Sequence, residues 1–142
     1  MKSFVLSLKV ATALWLVCNY ASANGNDSVA ITKTMKSMFD KADAPLSVDA
    51  LTASSEYSLA SWTQQSKGGR ALLKKAGTTW EIVVCGGKDL LQKTALEKVG
   101  LSHQQAHKLV ADLKKIENQL PVSKRQQFDS FQLGEQNHHG SH

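Results

Sequence analysis

Cysteine is almost missing from this sequence: there are two in 142 residues, Cys18 in an apolar stretch near the start and Cys85 in the middle. Once the N-terminal stretch is set aside no internal disulfide is possible, so the chain has to fold on its core alone. Proline is as rare, with only Pro45 and Pro121, which excludes proline-rich linkers and leaves two sharp breaks. Aromatic residues make up 6% and do not interleave with the basic ones, which argues against a nucleic-acid surface. No glycine loop has phosphate-binding spacing, since "CGGKD" (85–89) fits neither the Walker nor the dinucleotide pattern. No pair of carboxylates stands out for acid–base work. No apolar run after residue 23 approaches the roughly 20 residues a membrane-crossing helix needs.

What is present begins with an export signal. Lys2 and Lys9 supply positive charge around "VATALWLVCNYASA" (10–23), and Ala21 and Ala23 occupy the two small-residue positions of a cleavage site. The mature chain is therefore expected to start at Asn24, with no membrane-spanning segment left after cleavage. The competing reading is an uncleaved anchor, for which the run is short. Val17 before Cys18 is not the small residue that lipid attachment requires. The chain divides into a signal peptide over 1–23, a single domain over 24–133 and a flexible His-rich tail over 134–142. The formal charge is +5, and the basic excess lies in residues 67–125. Its charges fall singly or in pairs, the pattern of solvated helix and strand faces, so no nucleic-acid partner is expected.

Periodicity supplies the elements. Val29, Ile31, Met35, Met38 and Phe39 recur at helical spacing behind a cap at Asp27 or Ser28, and Pro45 ends that helix. A short extended piece follows over 46–51. Three β-prone runs, 56–65, 70–75 and 80–85, are separated by the turn signals "SKGG" and "AGTT". In the last run Trp80, Ile82 and Val84 alternate against Glu81, Val83 and Cys85. The period then lengthens: Leu90, Leu91, Ala95 and Leu96 form one helical face, ended by Gly100. Ser102 and Gln105 have capping-box spacing ahead of the stripe Ala106, Leu109, Val110, Leu113, Ile116 and Leu120. Pro121 opens a short last helix. The expected fold is α+β: an N-terminal helix, a small antiparallel β meander, then two or three C-terminal helices, covering one face of the sheet.

The residues able to do chemistry are mostly soft metal ligands. Thiolate and thioether sulfur favour Cu(I), whereas imidazole suits copper, nickel or zinc. Met35 and Met38 are three apart on the first helix, where core packing competes with a ligand role. His103 and His107, four apart, can clamp one ion from a helix face or serve as boundary residues. His138, His139 and His142 crowd a tail that has no packing use for them. Cys85 is either a small core hydrophobe, with Val83 on its face, or a reactive group whose thiolate is favoured by the amides of the helix start that follows. A thiol nucleophile with His103 or His107 as base is the weakest option, because nothing brings them into reach. No catalytic activity is expected.

The stretch "SWTQQSKGGRALLKKAGTTWEIVVCGGKDL" (61–90) resembles small exported bacterial proteins known as copper uptake system-associated proteins. The likeness is carried by Trp62 and Gln64, by Gly68 or Gly69 through Leu73, by Trp80, and by Cys85 with Gly87. It extends more thinly to "DKADAPLSVD" before it and to "FDSF" and the His-bearing tail after it. Gln65 departs from the pattern, which has glycine after Trp-x-Gln. The resemblance implies periplasmic placement and a part in handling copper beside a copper carrier or membrane transporter. It favours Cys85 as a Cu(I) ligand and lends nothing to His103 or His107; in a copper-binding reading of the residues, Met35 or Met38 completes a soft site and the tail imidazoles capture or deliver the ion, with Cu(II) open to them. A second reading is an interaction module that binds no metal and docks on the carrier or transporter through Trp62, Trp80 and Arg70. Cys85 is also positioned by chance to link two chains in an oxidising compartment.

Overall fold

The computed structural model describes residues 25–131. The stretch expected to be a signal peptide (1–23) and the histidines of the tail (His138, His139 and His142) therefore lie outside the described residues. Helix α1 spans Gly25–Phe39, followed by strands β1 (Ser47–Ala53), β2 (Tyr57–Gln64), β3 (Lys67–Ala76) and β4 (Thr79–Gly86). A 3-10 turn over Lys88–Leu91 leads to helices α2 (Lys93–Lys98), α3 (His103–Glu117) and α4 (Val122–Asp129). The four strands form one antiparallel sheet in the order β1-β2-β3-β4. This is the α+β arrangement expected, with the extended piece after Pro45 pairing as a fourth strand.

The helices cover both faces of the sheet, not one. On one face α1 lays Ile31 and Met35 against Ala60, Ala71, Leu73 and Trp80. On the other, α2 and α3 lay Leu96, Ala106, Leu109 and Leu113 against Tyr57, Leu59 and Leu72. The reason is legible in β2, where every residue from Tyr57 to Thr63 is buried. A strand flanked by water on one side would alternate, and small residues such as Ser58, Ala60 and Ser61 let both faces be covered closely.

Two bulges set the facing of the edge strands. Asp49 is the extra residue between Val48, opposite Trp62, and Ala50, opposite Ser61. Val83 is the extra residue between Ile82, opposite Leu73, and Val84, opposite Leu72. Because strand side chains alternate, one inserted residue reverses the phase beyond it. Trp80, Ile82 and Cys85 consequently share the α1 face, while Val84 packs on the other. The simple alternation expected for this strand therefore breaks at Val83, which points out to solvent.

Other local expectations are met or shifted by small amounts. Ser102 caps α3 with a full capping box to Gln105. Asp27 sits within the first turn of α1 and is not its cap; its carboxylate accepts from Lys75 Nζ (2.9 Å) and Trp80 Nε1 (3.3 Å). The helix expected over 88–100 is interrupted by Gln92, which is extended. The first hairpin turns at Gln65 and Ser66, so Gly68 and Gly69 belong to β3 and not to the turn. Gln65 takes a left-handed backbone (φ 54°), the conformation glycine adopts at no steric cost.

Candidate functional site

Cys85 lies near the end of β4, opposite Ala71. Its thiol is half-buried and packs against the core on the α1 side, the same apolar cluster that holds Met35, Trp62 and Trp80. Burial pushes its pKa up, because an apolar setting disfavours the thiolate. Of the amides that follow it, the Gly87 N–H is turned to another acceptor, donating to Asp89 Oδ1 at 2.8 Å. Of the two readings open for Cys85, this setting favours the packed, desolvated thiol over the activated one.

The remaining ligand candidates are scattered. Met35 is fully buried on the inner side of α1, and Met38 is 63% exposed on the same helix. His103 is 76% exposed and bonds Glu97 Oε1 through Nδ1 at 2.6 Å, and His107 is exposed one turn on. Both histidines belong to α3, which packs on the opposite face of the sheet from Cys85. The sheet therefore stands between them and the thiol. Among the described residues no group of three or more His, Cys, Asp or Glu side chains is gathered in a way that would hold a metal ion.

The surface patch considered for docking is not a surface. Trp80 is buried, its ring under Lys75 Nζ at 5.5 Å. Trp62 is buried and meets Phe131 edge-on, with ring centroids 6.1 Å apart and planes at 82°. Arg70 is among the largest fully buried side chains. Interior packing accounts for all three.

What the structure assembles instead is a junction around Arg70. Its Nε and Nη2 donate to Glu117 Oε1 and Oε2, both at 2.8 Å. Its Nη1 donates to Asp129 Oδ1 at 2.8 Å and to the Gly87 carbonyl at 3.0 Å. The guanidinium carbon stands 5.7 Å from the centroid of the Phe128 ring. Ser61 Oγ also donates to Glu117. Burial works to lower the Arg70 pKa, but the hydrogen bonds from Glu117 and Asp129 outweigh it and leave the pKa raised, so the group stays charged. Gly68, Gly69 and Gly87 lie at the same end of the sheet, under the C-terminal part of the described chain. A Cβ at Gly68 would lie 2.7 Å from the Gln127 carbonyl oxygen, one at Gly69 2.8 Å from the Phe131 ring, and one at Gly87 3.1 Å from the Asp129 carbonyl oxygen.

No family model, curated protein or solved structure matches this chain. Trp62, Gly68, Gly69, Arg70, Gly87 and "FDSF" (128–131) are far apart in sequence, yet they meet at one end of the sheet. The signal that was available for this junction is Glu117, a charge set beside the apolar stripe of α3, and Arg70, a charge opening the apolar run "ALL". Each implies a buried partner.

Proposed function

We propose that the protein is a non-catalytic, exported copper-binding accessory protein of the periplasm, in which Cys85 is the Cu(I) ligand and His138, His139 and His142 take up or pass on the ion. The observation that carries this reading is the position of Phe131. It packs over Gly69 of β3 and Gly87, one residue past β4, so the last described residue lies at the end of the sheet that carries Cys85. The half-buried thiol is a soft donor, and the first of the tail's nitrogen donors, His138, comes seven residues after Phe131.

Met35 is the thioether nearest in placement, since it shares the apolar cluster against which Cys85 packs. Met38, exposed on α1, and His103 and His107, across the sheet, are not part of the proposed site. Among the described residues no helix is long and apolar enough to cross a membrane. A copper carrier or transporter would therefore be met as a separate partner.

The test is an anaerobic Cu(I) titration of the reduced chain from Asn24. Uptake of about one ion is expected, with Cys85→Ser weakening it by well over tenfold; equal binding by the mutant removes the thiol from the site. Deleting 137–142 should weaken Cu(II) or Ni(II) uptake more than Cu(I).

A further inference from the structure

The C-terminal segment 122–131 is held unlike any other element. Its apolar anchorage is two aromatic rings: Phe128 is fully buried, Phe131 is half-buried, and Val122 faces solvent. Its remaining ties are polar and peripheral. Lys124 Nζ donates to Asp49 Oδ1 (2.9 Å) and Thr63 Oγ1 (3.0 Å), and Gln127 Nε2 donates to the Gln65 carbonyl (2.9 Å). The receptor for it is backbone, because Gly68, Gly69 and Gly87 carry no Cβ that would stop the chain lying on them.

We propose that this segment is a detachable strap, latched by Asp129, that releases as a unit while α1, the sheet, α2 and α3 stay folded.

Three observations carry the proposal. The first is the division of labour around Arg70. Glu117, from α3, holds two of its nitrogens and is itself almost wholly buried, whereas Asp129 is 40% exposed. When Asp129 leaves, the guanidinium keeps its bidentate carboxylate and the Gly87 carbonyl, so opening does not strand the Arg70 charge. That removes the main cost of breaking such an ion pair.

The second is the joint. The exit of α3 closes with the Leu120 N–H on the Glu117 carbonyl, and the first bonds of α4 are accepted by the Pro121 carbonyl. Proline has no N–H to carry the ladder across, and no side chain caps α4. The strap is therefore a separate hydrogen-bonded unit.

The third is the surface beneath. Lifting the strap takes the Asp129 carboxylate off Arg70 Nη1 on the α3 face and Phe131 off the Trp62 ring on the α1 face.

Hydrogen–deuterium exchange read by mass spectrometry on the full folded chain tests this. Amides of 122–131 are expected to exchange at least about a hundredfold faster than those of β2 and β3, through a local opening. Asp129→Asn should speed the strap amides roughly tenfold and leave the sheet unchanged. In the unmodified chain, raising the ionic strength should speed the same amides, since a half-exposed ion pair is screened by salt. Exchange of strap and sheet at one common rate overturns the proposal. So does an Asp129→Asn effect spread evenly over both, and a strap indifferent to both the substitution and the salt overturns Asp129 as latch.

Discussion

Arg70 and Glu117, 47 positions apart, face each other through two parallel hydrogen bonds of 2.8 Å, with side-chain exposures of 1% and 4%. The pair welds the middle strand of the meander to α3. Both charges have been taken out of water, so neither tolerates the loss of its partner. Glu117→Ala is expected to destabilise the fold by about 3–5 kcal/mol, because it leaves a guanidinium buried with only the rim carboxylate of Asp129. Replacing both members by apolar residues of similar volume, Arg70→Met with Glu117→Leu, should recover most of that loss. Urea denaturation of the three variants checks the prediction.

Gln65 holds a left-handed backbone in the β2–β3 turn, and its side chain is exposed with one long bond to the Asp43 carbonyl. Relief of that conformation is worth about 1 kcal/mol or somewhat more. A glycine costs part of it back through the greater freedom of the unfolded chain. Gln65→Gly should therefore stabilise by roughly 0.5 kcal/mol, while Gln65→Val should destabilise by more than 1 kcal/mol. Denaturation midpoints compare them directly.

The Cys85 thiol, its pKa raised by burial, should alkylate slowly at neutral pH, and its rate should still be climbing above pH 9. Iodoacetamide labelling followed by mass measurement gives the profile; fast labelling at pH 7 would contradict the desolvated setting. The linked stability effect has a definite sign. A raised folded-state pKa means the unfolded thiol ionises first, so this contribution is intact below the unfolded value and is lost as pH rises through the folded one.

Asp27 has the opposite sign. Its hydrogen bond from Lys75 is the main cause of a pKa held below the ordinary 3.8, against an opposing effect of burial. Its contribution is present above that ordinary value and disappears as the pH falls through the depressed one. Asp27→Asn should cost about 1 kcal/mol near neutral pH and nothing in strong acid. Denaturation at pH 7 and at pH 2 separates the two cases.

The elements were legible in the sequence, and the meeting points were only partly so. Ser102 and Gln105 announced the start of α3, and the stripe from Ala106 to Leu120 announced its buried side. Pro45 and Pro121 marked the breaks they make. The phase of β4 was hidden, because nothing in "WEIVVC" (80–85) distinguishes a continuous strand from one that bulges at Val83. The second covered face was hidden too: alternation in β3 and β4 reads as one-sided until β2 is known to be central and buried. Gly68 and Gly69 read as a turn because glycine favours turns, whereas here Gly68 lets α4 lie against bare backbone and Gly69 makes room for Phe131 and Trp62. The Arg70 junction was visible only as two misplaced charges, with no indication that they answered each other.

Short-range chemistry along the chain thus decides which stretches coil and which extend, since capping, proline and apolar spacing act within a few residues. Packing at a distance decides the rest: that Cys85 faces α1 and not α3, that Trp62 and Trp80 are interior, and that one guanidinium gathers Glu117, Asp129 and Gly87. A single inserted residue reverses the facing of a strand, and a buried charge is satisfied by groups nearly fifty positions away, so neither outcome is written in any local run of residues.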